Sequence, residues 1–341
     1  MMRNKIFLAT NSRGVTRADL RSDGVWSVET SLEGKRVNSL AADRRISGRI
    51  YAGTQANGIW RSDDAGRTWD QAGLSGQAIK TIAVSPLEPG LIYAGCKPAS
   101  LYVSADHGAA WNELQALRRA RKWWWFSPAE PPDWGAYPQA LALSPEDPNL
   151  ILAGIELGGV LRSTDGGVTW SGHRRGAVLD CHSLTFHASD GRRVYEGGGS
   201  GCGAACSMDG GITWQQPRAG LGAKYGWMVA ADAIRPDVWY LSASDQPNPL
   251  KGQFVPPAHV EGKARGRIYR SMGGGAWECL SGGLPEPLDF MAYALIAEPG
   301  VSGRLYAGLS NGDIWQTDDF GEAWRRLPVN MGGIHRTMIL V

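Results

Sequence analysis

Apolar and polar positions alternate along this chain in short runs, each closed by glycine, proline or aspartate. Residues 79–114 are representative: IKTIAVSP, a turn LEPG, then LIYAG, a short loop, LYVS, a second turn and AWNEL. Period-2 alternation bounded by turn residues predicts β-strands, here four to a unit. One sheet this small cannot bury both of its apolar faces alone, so the units must stack face to face around an axis.

The unit repeats. A Ser/Thr-x-Asp-x-Gly-x-Thr-Trp box is read at residues 62–69 (SDDAGRTW), 163–170 (STDGGVTW) and 207–214 (SMDGGITW). Weaker copies lie at 104–111 (SADHGAAW) and 317–324 (TDDFGEAW), and degraded ones at 271–277 (SMGGGAW) and 22–26 (SDGVW). The terminal tryptophans are Trp26, Trp69, Trp111, Trp170, Trp214, Trp277 and Trp324. Their intervals of 43, 42, 44 and 47 residues mark one unit, and 59 and 63 mark a unit plus an insertion. Seven units predict a single all-β domain over residues 1–341, a seven-bladed β-propeller of four-stranded blades. The first unit opens at IFLAT, already a second strand. The segment 334–341 (IHRTMILV) is a spare first strand, expected to complete blade one and close the ring, which removes the open sheet edges.

Within each box the acid is expected to accept backbone N–H bonds: Asp63, Asp106, Asp165, Asp209 and Asp319. Gly66, Gly108, Gly167, Gly211 and Gly321 supply a positive φ, and each tryptophan fills the layer between blades. These acids are architecture, not catalysts.

Composition changes the picture little. The 46 glycines and 15 tryptophans in 341 residues suit tight turns and bulky packing. Thirty-five basic against 33 acidic residues, a net charge of +2, gives no sign of a nucleic-acid or membrane-surface partner. Nowhere do about 18 apolar residues run together, and the apolar run near the start is too short for an export signal. Five thinly spread cysteines do not form a disulfide framework. A cytoplasmic location is the expectation.

The box repeat resembles the Asp-box (BNR) family, shared by sialidases, sortilin-type receptors, xyloglucanases and the photosystem II assembly propeller. The resemblance spans the whole chain and is specific for fold rather than activity. It argues against a true sialidase, because the Phe-Arg-Ile-Pro motif is absent and no arginine triad can be assigned. Xyloglucanases of this kind use two propellers facing a cleft, and this chain holds one.

In such a propeller the box turns occupy one face. Two insertions, residues 113–137 and 242–267, fall on loops of the other face, where lids and sites are found. Aligning the first strands gives a ring at the channel mouth: Asn38, Lys80, Gln139, His182, Trp227, Tyr293 and Arg336. The first insertion adds Trp124 and Trp125 beside Arg118, Arg119, Arg121 and Lys122, a pattern suited to stacking on a sugar or aromatic ring. The ligand-binding candidates are therefore Asn38, Lys80, Gln139, Trp227, Arg336, Trp124 and Trp125. Acid–base candidates are His182, Tyr293 and Glu156; Asp180, Asp245 and Asp289 are further carboxylates near that face.

Three readings follow. The first is a hydrolase-like propeller binding a small molecule or glycan at the mouth, with no cofactor. The second is a non-catalytic module that grips a protein or a glycan with its insertions. The third is an enzyme using a divalent metal held by His182, His259 and His335.

Overall fold

The computed structural model describes residues 5–341 except 12, 124, 126, 128–133, 200, 248–249, 251 and 253. Seven antiparallel sheets form the blades of a β-propeller. The inner strands of blades two to seven are Val37–Ala42, Ala78–Val84, Pro138–Leu143, Cys181–His187, Tyr225–Ala231 and Ala292–Ala297. Blade one closes the ring as expected. Its inner strand is Met338–Leu340, paired with Ile6–Thr10 in the register Phe7↔Leu340, Leu8↔Ile339 and Ala9↔Met338. The closing ladder is thus shorter than the whole 334–341 segment. Single bonds extend it, Thr10 N–H to Thr337 O at 2.9 Å and Val341 N–H to Ile6 O at 2.9 Å.

Five sheets have four strands and two have three. In blades four and five the outer strand shrinks to one bridge each, Arg162↔Ser171 and Cys206↔Gln215. Gly172 follows the first bridge and Pro217 lies just beyond the second; neither residue sustains a ladder.

The core is divided. Among the described residues seven apolar clusters each join one blade to the next, from Leu8 and Val15 against Leu40 and Ile50 round to Tyr306 and Ile314 against Phe7 and Ala9. An eighth packs Ala258 and Ala264 of the second insertion on Met291. Stacking flat sheets around an axis makes this division unavoidable, because a blade touches only its neighbours.

The box turns show why the repeat survives. In five blades the box Ser or Thr hydroxyl accepts the glycine N–H at 2.8–2.9 Å and donates to the box aspartate at 2.7–2.8 Å. The aspartate accepts the backbone N–H four residues on. Each tryptophan indole donates to the glycine carbonyl at 3.0–3.2 Å. One expectation needs correction. In blade two the turn acid is Asp64, whose carboxylate takes the Thr68 N–H at 2.9 Å and the Thr68 hydroxyl at 2.7 Å. Asp63 is the variable residue beside it and points instead to Arg49 at 2.6 Å. Box spacing puts the acid two residues after the serine, and two adjacent aspartates hid that count.

Each box also docks onto the turn between its blade's first two strands, for example Ala65 N–H to Gly48 O at 2.8 Å and Gly210 N–H to Arg192 O at 2.9 Å. That turn lies at the far end of the inner strand from the ring of mouth residues. No helix among the described residues is long and apolar enough to cross a membrane.

Candidate active site at the channel mouth

The inner strands of blades two to seven share an irregularity that builds the site. Pairing with the second strand skips a residue between Val37 and Ser39, Ile79 and Thr81, Pro138 and Ala140, Cys181 and Ser183, and Ala292 and Ala294. In blade six it skips two, between Gly226 and Val229. The skipped residues are Asn38, Lys80, Gln139, His182, Tyr293 and the pair Trp227–Met228, which hold six of the seven ring residues read from the sequence. The seventh, Arg336, precedes the closing strand Met338–Leu340 and is not a skipped residue. A bulge frees one residue from the ladder and re-aims its side chain. Asn38, Lys80, Gln139, His182, Trp227 and Arg336 line a narrow cavity of about 180 Å³. Above it a wider cavity of about 620 Å³ is lined by Gln139, Glu156, Asp180, His182, Tyr225, Trp227, His259, Tyr293, His335 and Arg336.

One wall is aromatic. Trp227 lies 4.5 Å from His182, 5.0 Å from Tyr293 and 5.2 Å from His259, centroid to centroid. Hydrogen bonds fix this wall in a single direction. The Tyr293 hydroxyl donates to Ala258 O at 2.9 Å, so it accepts from His259 Nδ1–H, also at 2.9 Å. His259 Nε2 is then the acceptor for the Tyr225 hydroxyl at 2.9 Å. A neutral imidazole is required, and burial together with the positive charge of His182 and Arg336 lowers its pKa to about 4. Burial pushes the Tyr293 phenol up to about 12.

The opposite wall is polar. Gln55 Oε1 accepts from Lys80 Nζ at 2.9 Å and from Asn38 Nδ2 at 3.0 Å. Lys80 and Lys97 both sit over the Tyr137 ring, at 4.9 and 5.4 Å.

Between the walls lie three groups whose donor atoms fall within 4.8 Å of one another: Glu156, Asp180 and His182. Glu156 follows the strand Ile151–Ile155, and Asp180 immediately precedes Cys181–His187. His182 Nδ1 meets Gly226 O at 2.8 Å, which makes it the N–H donor, and Nε2 lies 3.5 Å from Asp180 Oδ1. Burial disfavours the charged ring, but Asp180 and then Glu156 outweigh burial and raise its pKa. Behind the inner strand Glu196 is fully buried. Its carboxyl takes the Val178 N–H at 2.8 Å, yet burial pushes its pKa up to about 8.

The structure thus brings together His182, Glu156, Gln139, Trp227, Tyr293 and Arg336 in one cavity, with Lys80 and Asn38 just below. Three expectations fare differently. Trp125 is 4% exposed and packs with Leu117, Ala136 and Ile155 in the cluster between blades three and four, away from the cavity. Trp124 lies outside the described residues. The trio His182, His259 and His335 does not form the metal-capable group among those residues: both His259 nitrogens are held by tyrosines, and carboxylates surround His182 instead. The insertions do reach the site, through Tyr137 from the first and Phe254 to Pro256 and His259 from the second. Sequence reasoning missed Tyr225 and Gln55, since neither lies in the bulge column. Asp180 was noted only as a nearby acid, although its place next to Cys181, one residue before His182, is a usable signal.

No protein-family profile and no curated protein sequence matches the chain. The likeness is structural. An ancestral GH74 enzyme superposes with a TM-score of 0.61 at 16% identity, covering 89% of this chain and 38% of that one. The GH74 xyloglucanase of Xanthomonas campestris gives 0.60 at 19% identity, covering 85% and 45%. YCF48 from Cyanidioschyzon merolae gives 0.57 at 12% identity, covering 86% and 85%. The chain spans less than half the length of those two glycosidase structures. At such identities the likeness establishes the propeller fold alone.

Proposed function

We propose that this chain is a propeller of the Asp-box kind, hydrolase-like, that binds a sugar or similar small polar molecule at the channel mouth. The observation that carries the reading is the cavity of about 620 Å³, in which the aromatic wall faces Glu156, Asp180 and His182. A cavity of that size suits a small ligand. Trp227 and Tyr225 offer ring faces for stacking, and Gln139 Oε1 is buried with no partner among the described residues, a group that a ligand hydroxyl would satisfy. Glycoside hydrolysis needs two carboxyl groups flanking the scissile bond; Glu156 and Asp180 fill that role, with His182 holding a proton against Asp180. Tyr293 positions His259 rather than moving protons, since its hydroxyl donates to Ala258 O. A thermal-shift and calorimetric screen of oligosaccharides and hydroxy acids tests the proposal. A hit that Trp227→Ala weakens about tenfold, near 1.4 kcal/mol, supports it, and a hit of unchanged affinity places the ligand elsewhere.

A second reading is favoured by the exposed apolar side chains of the insertions. Trp123 is 94% exposed, Leu250 98% and Phe254 77%, apolar area on both insertions that a protein partner would remove from water. Peptides selected for binding to the wild type should fail on a Trp123→Asp, Leu250→Asp double variant. Undiminished binding would remove this reading.

A further inference from the structure

We infer that Glu156, Asp180 and His182 form a binding site for one divalent first-row metal ion, Zn²⁺ or Mn²⁺, open to the mouth cavity. Three observations carry this independently of the ligand proposed above. First, the geometry: the three donor atoms lie within 4.8 Å of one another. Ligands around a shared ion with bonds of about 2.0–2.2 Å sit about 3–4 Å apart, so closure needs only small side-chain movements. Second, the hydrogen bond: Gly226 O takes the Nδ1–H of His182, so Nε2 is the nitrogen turned to the carboxylates. An entering ion would take its lone pair by displacing to solvent the proton held there against Asp180. A backbone carbonyl on the far nitrogen is the usual support of a metal-bound histidine. The His182 side chain is 3% exposed, so water does not solvate this nitrogen freely.

Third, Asp180 Oδ1 is buried and accepts no hydrogen bond among the described residues. At 3.5 Å from Nε2, it makes no more than a long ion pair when the ring is protonated. Two carboxylates and one imidazole concentrate electron-rich atoms around a point that a dication would satisfy. Imidazole with carboxylates suits Zn²⁺ or Mn²⁺ better than Ca²⁺ or Mg²⁺, which prefer oxygen alone. The fit is tight on the far side. A Cβ at Gly199 would meet Asp180 Oδ2 at 2.3 Å and His182 Cε1 at 2.8 Å, so the absence of a side chain there lets acid and imidazole lie together. All three residues line the wide cavity, and an ion held there would offer its remaining positions to ligand oxygens. Glu156 and Asp180 would then act as ligands rather than as the acid–base pair, while sugar stacking on Trp227 would stand.

The test is calorimetry of ZnCl₂ and MnCl₂ into the chelator-treated full chain. We expect one ion per chain and a raised melting temperature. Asp180→Asn, Glu156→Gln and Gly199→Ala should each weaken binding at least tenfold, the last without removing a donor. Asp245→Asn, whose carboxylate pairs with Arg265 and Arg267, should leave it unchanged. In the wild type, bound Mn²⁺ should broaden the His182 ring resonances before those of the other histidines, a readout that no folding defect can mimic. Failure of both ions to bind, equal affinity in Asp180→Asn, or broadening centred elsewhere would overturn the site. Oligosaccharide binding measured in excess chelator separates the two proposals: a sugar that binds without metal keeps the ligand reading while the metal reading stands or falls on its own data.

Discussion

The two faces of the propeller place carboxylates in opposite circumstances. On the box face Asp64 is opposed by burial but held ionised by the Thr68 hydroxyl and N–H, the Ser62 hydroxyl and the Arg67 N–H, and its pKa falls to about 2. On the mouth side Glu196 receives one backbone N–H, and burial drives its pKa up to about 8. The first face repeats one solved problem; the second gathers different residues, each held by partners of its own, as Lys80 and Asn38 are by Gln55 and His259 is by two tyrosines. Buried polar atoms without a hydrogen bond among the described residues occur at both ends, His107 Nδ1 in a box turn as well as Gln139 Oε1 and Asp180 Oδ1 at the mouth. At the mouth they belong to residues that line a cavity, where a site can make use of them.

The largest effect should come from breaking the box face. Gly66 has φ +87°, and a Cβ there would meet Leu8 Cδ2 of blade one at 2.3 Å. Gly66→Val combines backbone strain with overpacking, and thermal denaturation should show a loss of roughly 3–5 kcal/mol. Next comes a crossing of pH profiles. Glu196 has a raised pKa, so its protonated form favours folding. That stability is fully present below the ordinary carboxyl range, declines as pH rises, and is gone above about 8; the slope is at most about 1.4 kcal/mol per pH unit. Glu196→Gln should flatten denaturant-measured stability between pH 5 and 8. Asp64 has the opposite sign: its contribution is present above the ordinary range and is lost as pH falls toward 2. Asp64→Ala should cost about 1–2 kcal/mol at neutral pH and blunt the acid transition, leaving any mouth ligand unaffected.

Trp227→Ala acts at the mouth instead. Ligand affinity should drop about tenfold, near 1.4 kcal/mol, in addition to the stability lost with the packing of the ring on His182, Tyr293 and His259, as calorimetry beside thermal denaturation would show. The smallest effect belongs to Trp123→Ser, whose side chain stands in solvent; its stability should move by no more than about 0.5 kcal/mol. A larger loss would mean that the first insertion supports the blades.

How much of this was legible in the sequence follows the same division. The seven blades and the closing strand could be read because each turn needs the same Ser, Asp, Gly and Trp at fixed offsets. The ring of mouth residues could be read because bulges recur at one place in the inner strands. Tyr225 and Gln55 could not: they reach the cavity from one step off that column, and only the hydrogen bonds to His259, Lys80 and Asn38 reveal them. Trp125 misled because a tryptophan run beside arginines reads alike whether it faces a ligand or fills a gap over Ile155.

A skipped residue in the inner strands of blades two to seven has a consequence for how such a molecule can change. Its side chain is excused from the ladder, and the neighbours on either side make the pairing for it. The strand pairing of the blades therefore places no demand on the identities of Asn38, Lys80, Gln139, His182 and Tyr293. What holds those identities is the contacts of the side chains themselves, such as Asn38 Nδ2 to Ile79 O at 2.8 Å and the Tyr293 hydroxyl to Ala258 O at 2.9 Å.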